Sequence, residues 1–206
     1  MNIFQRDGHE IIKSDFNELY QDLVGWMCDK KLHNNSLELL TILTNHNILT
    51  NNSNYKILEI GAAGCRNLKY IHDEYPDIQY FANDLHKDAS FKNMHKSMRD
   101  VIRFYEGKTQ DVIKNFSSNS IDLLIDSDHL VHVNYTDTNK ILNYINNTIK
   151  PKHFLIRSVL KNNPKRKPCP YHKHDYNKQL TNYKEIFYKV SDQHTNWYIK
   201  LFKLKT

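Results

Sequence analysis

The residues best suited to chemistry lie in one run, Glu59-Ile60-Gly61-Ala62-Ala63-Gly64-Cys65-Arg66-Asn67. Side chains as small as those from Gly61 to Cys65 let a backbone come close to a ligand. The free N–H groups of a helix opening near Arg66 would bind a carboxylate or a phosphate. Asp84 follows Gly61 at roughly the 20-residue spacing of a ribose-binding carboxylate, which accepts two hydroxyl hydrogen bonds and disfavours a 2′-phosphate. The competing readings are a tight turn without a ligand and, for Asp84, a helix cap.

A second group is built on histidine. His129, His132, His172 and His174 are candidate general bases, because an unperturbed imidazole titrates near pH ~6.5. Asp128 and Asp175 are weaker candidates. The pairs His129-x-x-His132 and His172-x-His174, with Asp126 or Asp128, also have spacings that could ligate a metal. Loop fixing and packing compete with both roles, and no metal is expected.

These residues need elements to hold them. Phe16, Leu19, Tyr20, Leu23, Val24 and Met27 fall on one helical face, with Ser14 as cap. A second helix is predicted from Asn35, with Glu38 completing a capping box and Leu37, Leu40 and Leu43 inward. Strands are predicted at Lys56–Ile60, Gln79–Asn83, Ile102–Glu106, Ile121–Ile125 and His153–Val159. Helices at Arg66–Glu74, Ala89–Arg99, near Asp111 and at Asp137–Asn147 alternate with them. Such alternation predicts a mostly parallel sheet with helices on both faces. Lys161–Lys178 reads as a long basic loop. Tyr183–Val190 and Trp197–Leu204, joined by a short polar connection, read as an antiparallel hairpin.

Composition narrows the class. The 206 residues are 39% hydrophobic and 25% charged, which suits one soluble α/β domain. No run approaches the roughly 20 apolar residues of a membrane span, and the first ten residues lack the pattern of a secretory signal. Three scattered cysteines argue against a disulfide scaffold and for a reducing, cytoplasmic setting, and exclude a four-cysteine zinc site. The net charge of +6 and pI near 9.0 favour anionic partners.

From Tyr55 to Leu204 the chain resembles the class I S-adenosylmethionine-dependent methyltransferases. Glu59-Ile60-Gly61-Ala62-Ala63-Gly64-Cys65 looks like that family's acidic-x-Gly-x-Gly-x-Gly loop, with the second and third glycines replaced at Ala63 and Cys65. By the resemblance, Asp84 with Leu85 takes the ribose. Ile102 to Gly107 looks like the third strand and its glycine, which puts Thr109 and Gln110 near the adenine. Ile121 to Val133, including Asp126 and Ser127, looks like the fourth strand and the loop beside the methyl group. Ile149 to Ile156 looks like the turn into strand five. Gly61 to Arg66 fails the Gly-x-Gly-x-x-Gly pattern of dinucleotide binders.

The resemblance implies a Rossmann-like α/β fold: a seven-stranded, mostly parallel sheet with an antiparallel C-terminal hairpin and helices on both faces. Residues 1–54 would form a helical cap and residues 55–206 the methyltransferase domain, the two making one unit. The implied cofactor is S-adenosyl-L-methionine, and the implied cofactor-binding residues are Glu59, Gly61, Ala62, Ala63, Gly64, Asn67, Asp84, Leu85, Thr109, Gln110, Asp126 and Ser127. The expected acceptor is a polar or anionic small molecule taking the methyl on oxygen or nitrogen. An RNA or protein acceptor held by the 161–178 loop and a non-catalytic cofactor-binding domain are the alternatives. Arg157-Ser158 stands where metal-dependent O-methyltransferases carry Asp-Asn. Cys169, in Pro168-Cys169-Pro170, follows strand five and not strand four, unlike the nucleophile of cytosine-C5 enzymes.

Overall fold

The computed structural model describes residues 4–6, 9–11, 33–161, 171–191 and 196–206. The helix expected over Phe16–Met27, Cys28, Cys169 and the loop cations Lys165, Arg166 and Lys167 lie outside the described residues. Strands β1 (Phe4–Arg6) and β2 (His9–Ile11) pair antiparallel, a ribbon that sequence patterning did not signal.

The main sheet follows from its apolar runs. Strand β3 (Lys56–Ile60) buries Ile57 and Leu58 on opposite faces, as a strand covered on both sides must. Each such side chain contributes about 1.5–3 kcal/mol of burial. Around it lie β4 (Gln79–Asp84), β5 (Ile102–Glu106), β6 (Leu123–Ser127), β7 (His153–Val159), β8 (Tyr183–Val190) and β9 (Trp197–Leu204). Their order is β5-β4-β3-β6-β7-β9-β8. The first five are parallel, and β9 runs antiparallel between β7 and β8.

Helix α1 (His33–Asn45), α2 (Arg66–Glu74), and the short α3 (Lys87–Asn93) and α4 (Lys96–Arg99) flank one side of the sheet. Leu39, Leu43, Leu68, Ile71 and Met98 fill that core with Ile57, Leu123 and Leu155. The other side carries α5 (Thr109–Val112), α6 (Tyr135–Tyr144) and α7 (Tyr176–Gln179). There Val112, Ile141, Leu142 and Tyr176 pack on Leu58, Leu124 and Ile156.

Several elements differ from expectation. The helix expected from Asn35 already begins at His33, so Asn35 lies inside it, Glu38 accepts from the Ser191 hydroxyl instead of closing a capping box, and Leu37 is exposed, not inward. The helix expected over Ala89–Arg99 breaks at Met94, which turns extended, and the His95 ring caps α4 by accepting from the Ser97 N–H. The helix expected from Asp137 starts two residues earlier, because the Asn134 side chain caps it through the Asp137 N–H. It then widens into a π turn over Ile145–Ile149 that Lys150 ends in a left-handed conformation. The strand expected over Ile121–Ile125 is Leu123–Ser127. Its pairing with β3 begins at Ile57 opposite Leu123, and the Asp122 carboxylate accepts from the Lys56 N–H instead.

Candidate active site

Strand order reverses at β3. The chain runs outward through β4 and β5, then returns to place β6 on the other side of β3. Ligands of open α/β sheets bind at such a switch point, beyond the carboxyl ends of the strands. The segments that leave β3 and β6 there are the Gly61–Cys65 loop and Ser127–His129.

The loop keeps a demanding backbone. Gly61, Ala63 and Cys65 all have positive φ, at 63°, 46° and 56°. Left-handed backbone favours glycine, yet glycine stands only at Gly61. The Ala62 N–H donates to the Asn83 carbonyl and the Cys65 N–H to the Ala62 carbonyl, which fixes the turn into α2. Asp84 holds the loop from β4. Its carboxylate accepts from the Ala63 N–H at 2.7 Å and the Leu85 N–H at 2.6 Å, with the His86 N–H adding to them. Burial raises the Asp84 pKa to about 6 against those hydrogen bonds.

Behind the loop is a second buried carboxyl. Glu59 accepts from Asn67 Nδ2 at 2.6 Å, and Asn67 Oδ1 accepts from the Ser36 hydroxyl at 2.6 Å. Arg66 Nε donates to the same Ser36 oxygen. This chain ties α1 to α2 and β3. Glu59 Oε2 is buried and makes no hydrogen bond, and burial lifts the Glu59 pKa to about 7.

His129 faces the loop. A Cβ built on Gly61 would lie 2.2 Å from the His129 Cγ, so the imidazole rests directly on the glycine. Its Nε2 is 2.8 Å from Thr109 Oγ1. The tautomer follows from the neighbours. Asn83 Nδ2 donates to the Tyr105 and Gly107 carbonyls, so Asn83 Oδ1 is an acceptor. Thr109 gives its only hydroxyl proton to that oxygen, at 2.7 Å. The Thr109 oxygen must therefore accept from His129 Nε2–H, which leaves Nδ1 as the basic lone pair. Burial lowers the His129 pKa to about 4, so the ring is neutral at pH 7. The Asp126 carboxylate holds this turn by accepting from the His129 and Leu130 N–H groups, both at 3.1 Å.

The other histidines gather on the same turn. The His172 N–H donates to the Val131 carbonyl, and His174 Nε2 donates to the Leu130 carbonyl at 2.9 Å. His174 is buried, which depresses its pKa. The His132 ring lies against Tyr171, with centroids 5.3 Å apart, and Tyr171 meets Trp197 edge-on. Arg157 on β7 pairs with Asp128 and lies 4.7 Å from the Trp197 ring centre. Thus His129 touches the loop, His174 and His172 brace the turn, and His132 joins the aromatic group beside β7. Among the other expected residues, Leu85 is exposed, and Gln110 and Ser127 are half-buried. Among the described residues no group of three or more His, Cys, Asp or Glu side chains could hold a metal ion.

Asp126 yields a test. It has no exposed surface, and burial lifts its pKa to about 8, with Asp128 and Glu59 adding to the rise. A carboxyl raised above its unfolded value near ~4 favours the fold fully below that value and loses the contribution as pH rises through the folded pKa. His129 is shifted the other way, and its contribution falls only below about pH 6.5. Between pH 6.5 and 8.5 stability should therefore fall as pH rises, by at most ~1.4 kcal/mol per unit for each proton released. Asp126→Asn, which still accepts both N–H groups, should flatten the upper part of that slope in urea titrations. An unchanged slope would mean that Asp126 is already ionised at neutral pH.

No protein-family model and no curated protein sequence matches the chain. Solved structures do. The chain superposes on the 1,6-didemethyltoxoflavin-N1-methyltransferase of Burkholderia thailandensis with a TM-score of 0.66 at 13% identity, covering 99% of this chain and 95% of that one. That enzyme was solved with 1,6-didemethyltoxoflavin and S-adenosylhomocysteine bound. The fold is that of the class I S-adenosylmethionine-dependent methyltransferases. A SAM-dependent methyltransferase from Aquifex aeolicus gives a TM-score of 0.66 at 9% identity, over 90% of this chain and 98% of that one. An O-methyltransferase family protein from Burkholderia thailandensis gives 0.63 at 12%, over 94% of this chain, which spans 61% of that protein's length.

In this methyltransferase fold the left-handed positions 61, 63 and 65 fall where the family pattern carries its three glycines. Sequence reasoning missed Asn83, Ser36 and Arg157, which orient Thr109, Asn67 and Asp128. Asn83 left one signal, a polar side chain among the apolar residues of β4. Among the described residues no helix is long and apolar enough to cross a membrane.

Proposed function

We propose that this chain is an S-adenosylmethionine-dependent methyltransferase acting on oxygen or nitrogen of a polar or anionic small molecule. The observation that carries the reading is the Gly61–Cys65 backbone, held in three left-handed turns at the switch point although two of its residues are sterically strained by it. Such strain is kept where a backbone must come close to something.

The residues suit the cofactor. The first turn of α2 would offer its N–H groups to a carboxylate. Asp84 stands at the end of β4, where a ribose would sit, and the unbonded Glu59 oxygen suits an ammonium. S-adenosylmethionine supplies an electrophilic methyl on a sulfonium, and the protein supplies position and electrostatics. His129 would receive the acceptor's proton on Nδ1 while Thr109 and Asn83 hold Nε2–H.

Titration calorimetry with S-adenosylmethionine and S-adenosylhomocysteine tests the reading. Saturable binding is expected, weakened by about 1–3 kcal/mol in Asp84→Asn, with circular dichroism confirming that the variant is folded. No heat at high micromolar cofactor would leave the fold without this chemistry.

A further inference from the structure

We infer that the face of the sheet shared by β8, β9 and α1 is a track for single-stranded nucleic acid, with phosphates on Lys184 and Lys203 and a base against Phe187 and His46. The inference does not depend on methyl transfer.

Strand register places the parts. Lys184 of β8 lies opposite Lys203 of β9, and Lys203 lies opposite His153 of β7. Two lysines and a histidine thus form one row, with strands spaced ~4.8 Å apart. Lys184 and Lys203 are exposed and make no ion pair among the described residues. Asp122 faces His153 but is paired with Lys152 at 2.6 Å. Burial, then Lys203 and Lys152, lowers the His153 pKa, so the row works against its own charge. Directly opposed like charges destabilise a sheet. Lysine on an edge strand guards against aggregation, which accounts for Lys184 and Lys189. It does not account for Lys203, which sits on an interior strand.

The aromatic part is next to this row on the same face. Phe187 lies opposite Leu201 and Lys189 opposite Ile199, and a bulge after Glu185 absorbs the odd residue. Between β8 and α1 is a cleft of about 440 Å³ lined by Leu37, Thr41, Asn45, His46, Phe187 and Lys189. The His46 and Phe187 rings meet at 4.9 Å, nearly edge to face. Glu38 also borders the cleft, accepting from the Ser191 hydroxyl at 2.8 Å with Lys189 Nζ at 3.8 Å. Aromatic surfaces flanked by cations suit single strands, whose bases stack and whose phosphates pair.

Fluorescence anisotropy of the full chain with a labelled uridylate 12-mer, from 50 to 200 mM salt, tests this. Binding should weaken with salt. Lys184→Gln/Lys203→Gln should cut affinity at least tenfold at 50 mM salt and reduce the log–log salt slope by about 1.4, or ~0.7 for each phosphate no longer neutralised. Phe187→Ala should cut affinity about fivefold or more. The double glutamine variant should melt at or above the wild-type temperature, which separates lost binding from lost structure. Wild-type affinity in that variant, no binding at 50 mM salt, or competition by uridine monophosphate equal to the 12-mer per nucleotide would each overturn the inference.

Discussion

Gly61→Ala should destabilise the protein by about 2–5 kcal/mol. Two costs add. A side chain at φ 63° costs ~1–2 kcal/mol, and forcing a methyl into filled space costs ~1–3 kcal/mol. The occupied space is the His129 ring, whose Cγ lies 2.2 Å from the new Cβ. Adding His129→Gly should therefore recover the steric part but not the backbone part. A double-mutant cycle in urea should return a coupling of about 1 kcal/mol or more. Strict additivity would mean that the imidazole does not rest on the loop. Ala63→Gly has the opposite sign. Relief at φ 46° exceeds the added chain entropy, for a net gain of ~0.5–1 kcal/mol.

The other large effect is expected at Arg157. Its side chain is 3% exposed and pairs with Asp128, which is 21% exposed. Arg157→Met keeps most of the volume but leaves the Asp128 carboxylate without its guanidinium, at a cost of about 3 kcal/mol. Asp128→Asn in the same chain should return most of that loss, because a neutral pair replaces a stranded charge. Asp128 itself sits at φ 70° directly before His129. The single variant should therefore also disturb the turn that carries the imidazole, visible as a shift of the His129 ring resonances in NMR. A melting curve equal to wild type would show that the pair is not buried in solution.

The apolar runs of β3, β5, β7, β8 and β9 were readable to the residue, because strands covered on one or both faces declare themselves by composition. Helix ends were not, since a cap such as Asn134 or His95 competes with neighbours of equal propensity. The small-residue loop and Asp84 were visible as types at a spacing. The direction of the Asp84 carboxylate was not visible, because it depends on Ala63 adopting a left-handed turn that alanine disfavours. The proton order through Asn83, Thr109 and His129 joins residues from three separate strand ends, a relation that exists only after folding.

Among the described residues strand β8 touches no strand except β9, and β9 follows it in the chain. During synthesis β8 therefore leaves the ribosome with no docking edge, while the outer edge of β7 stays bare, with Leu155 and Phe154 still uncovered. Both gaps close in one late event when residues 197–204 slot between them. Until then the nascent chain offers two sticky edges to its surroundings, and its yield in a cell should depend on how fast that last insertion outruns aggregation.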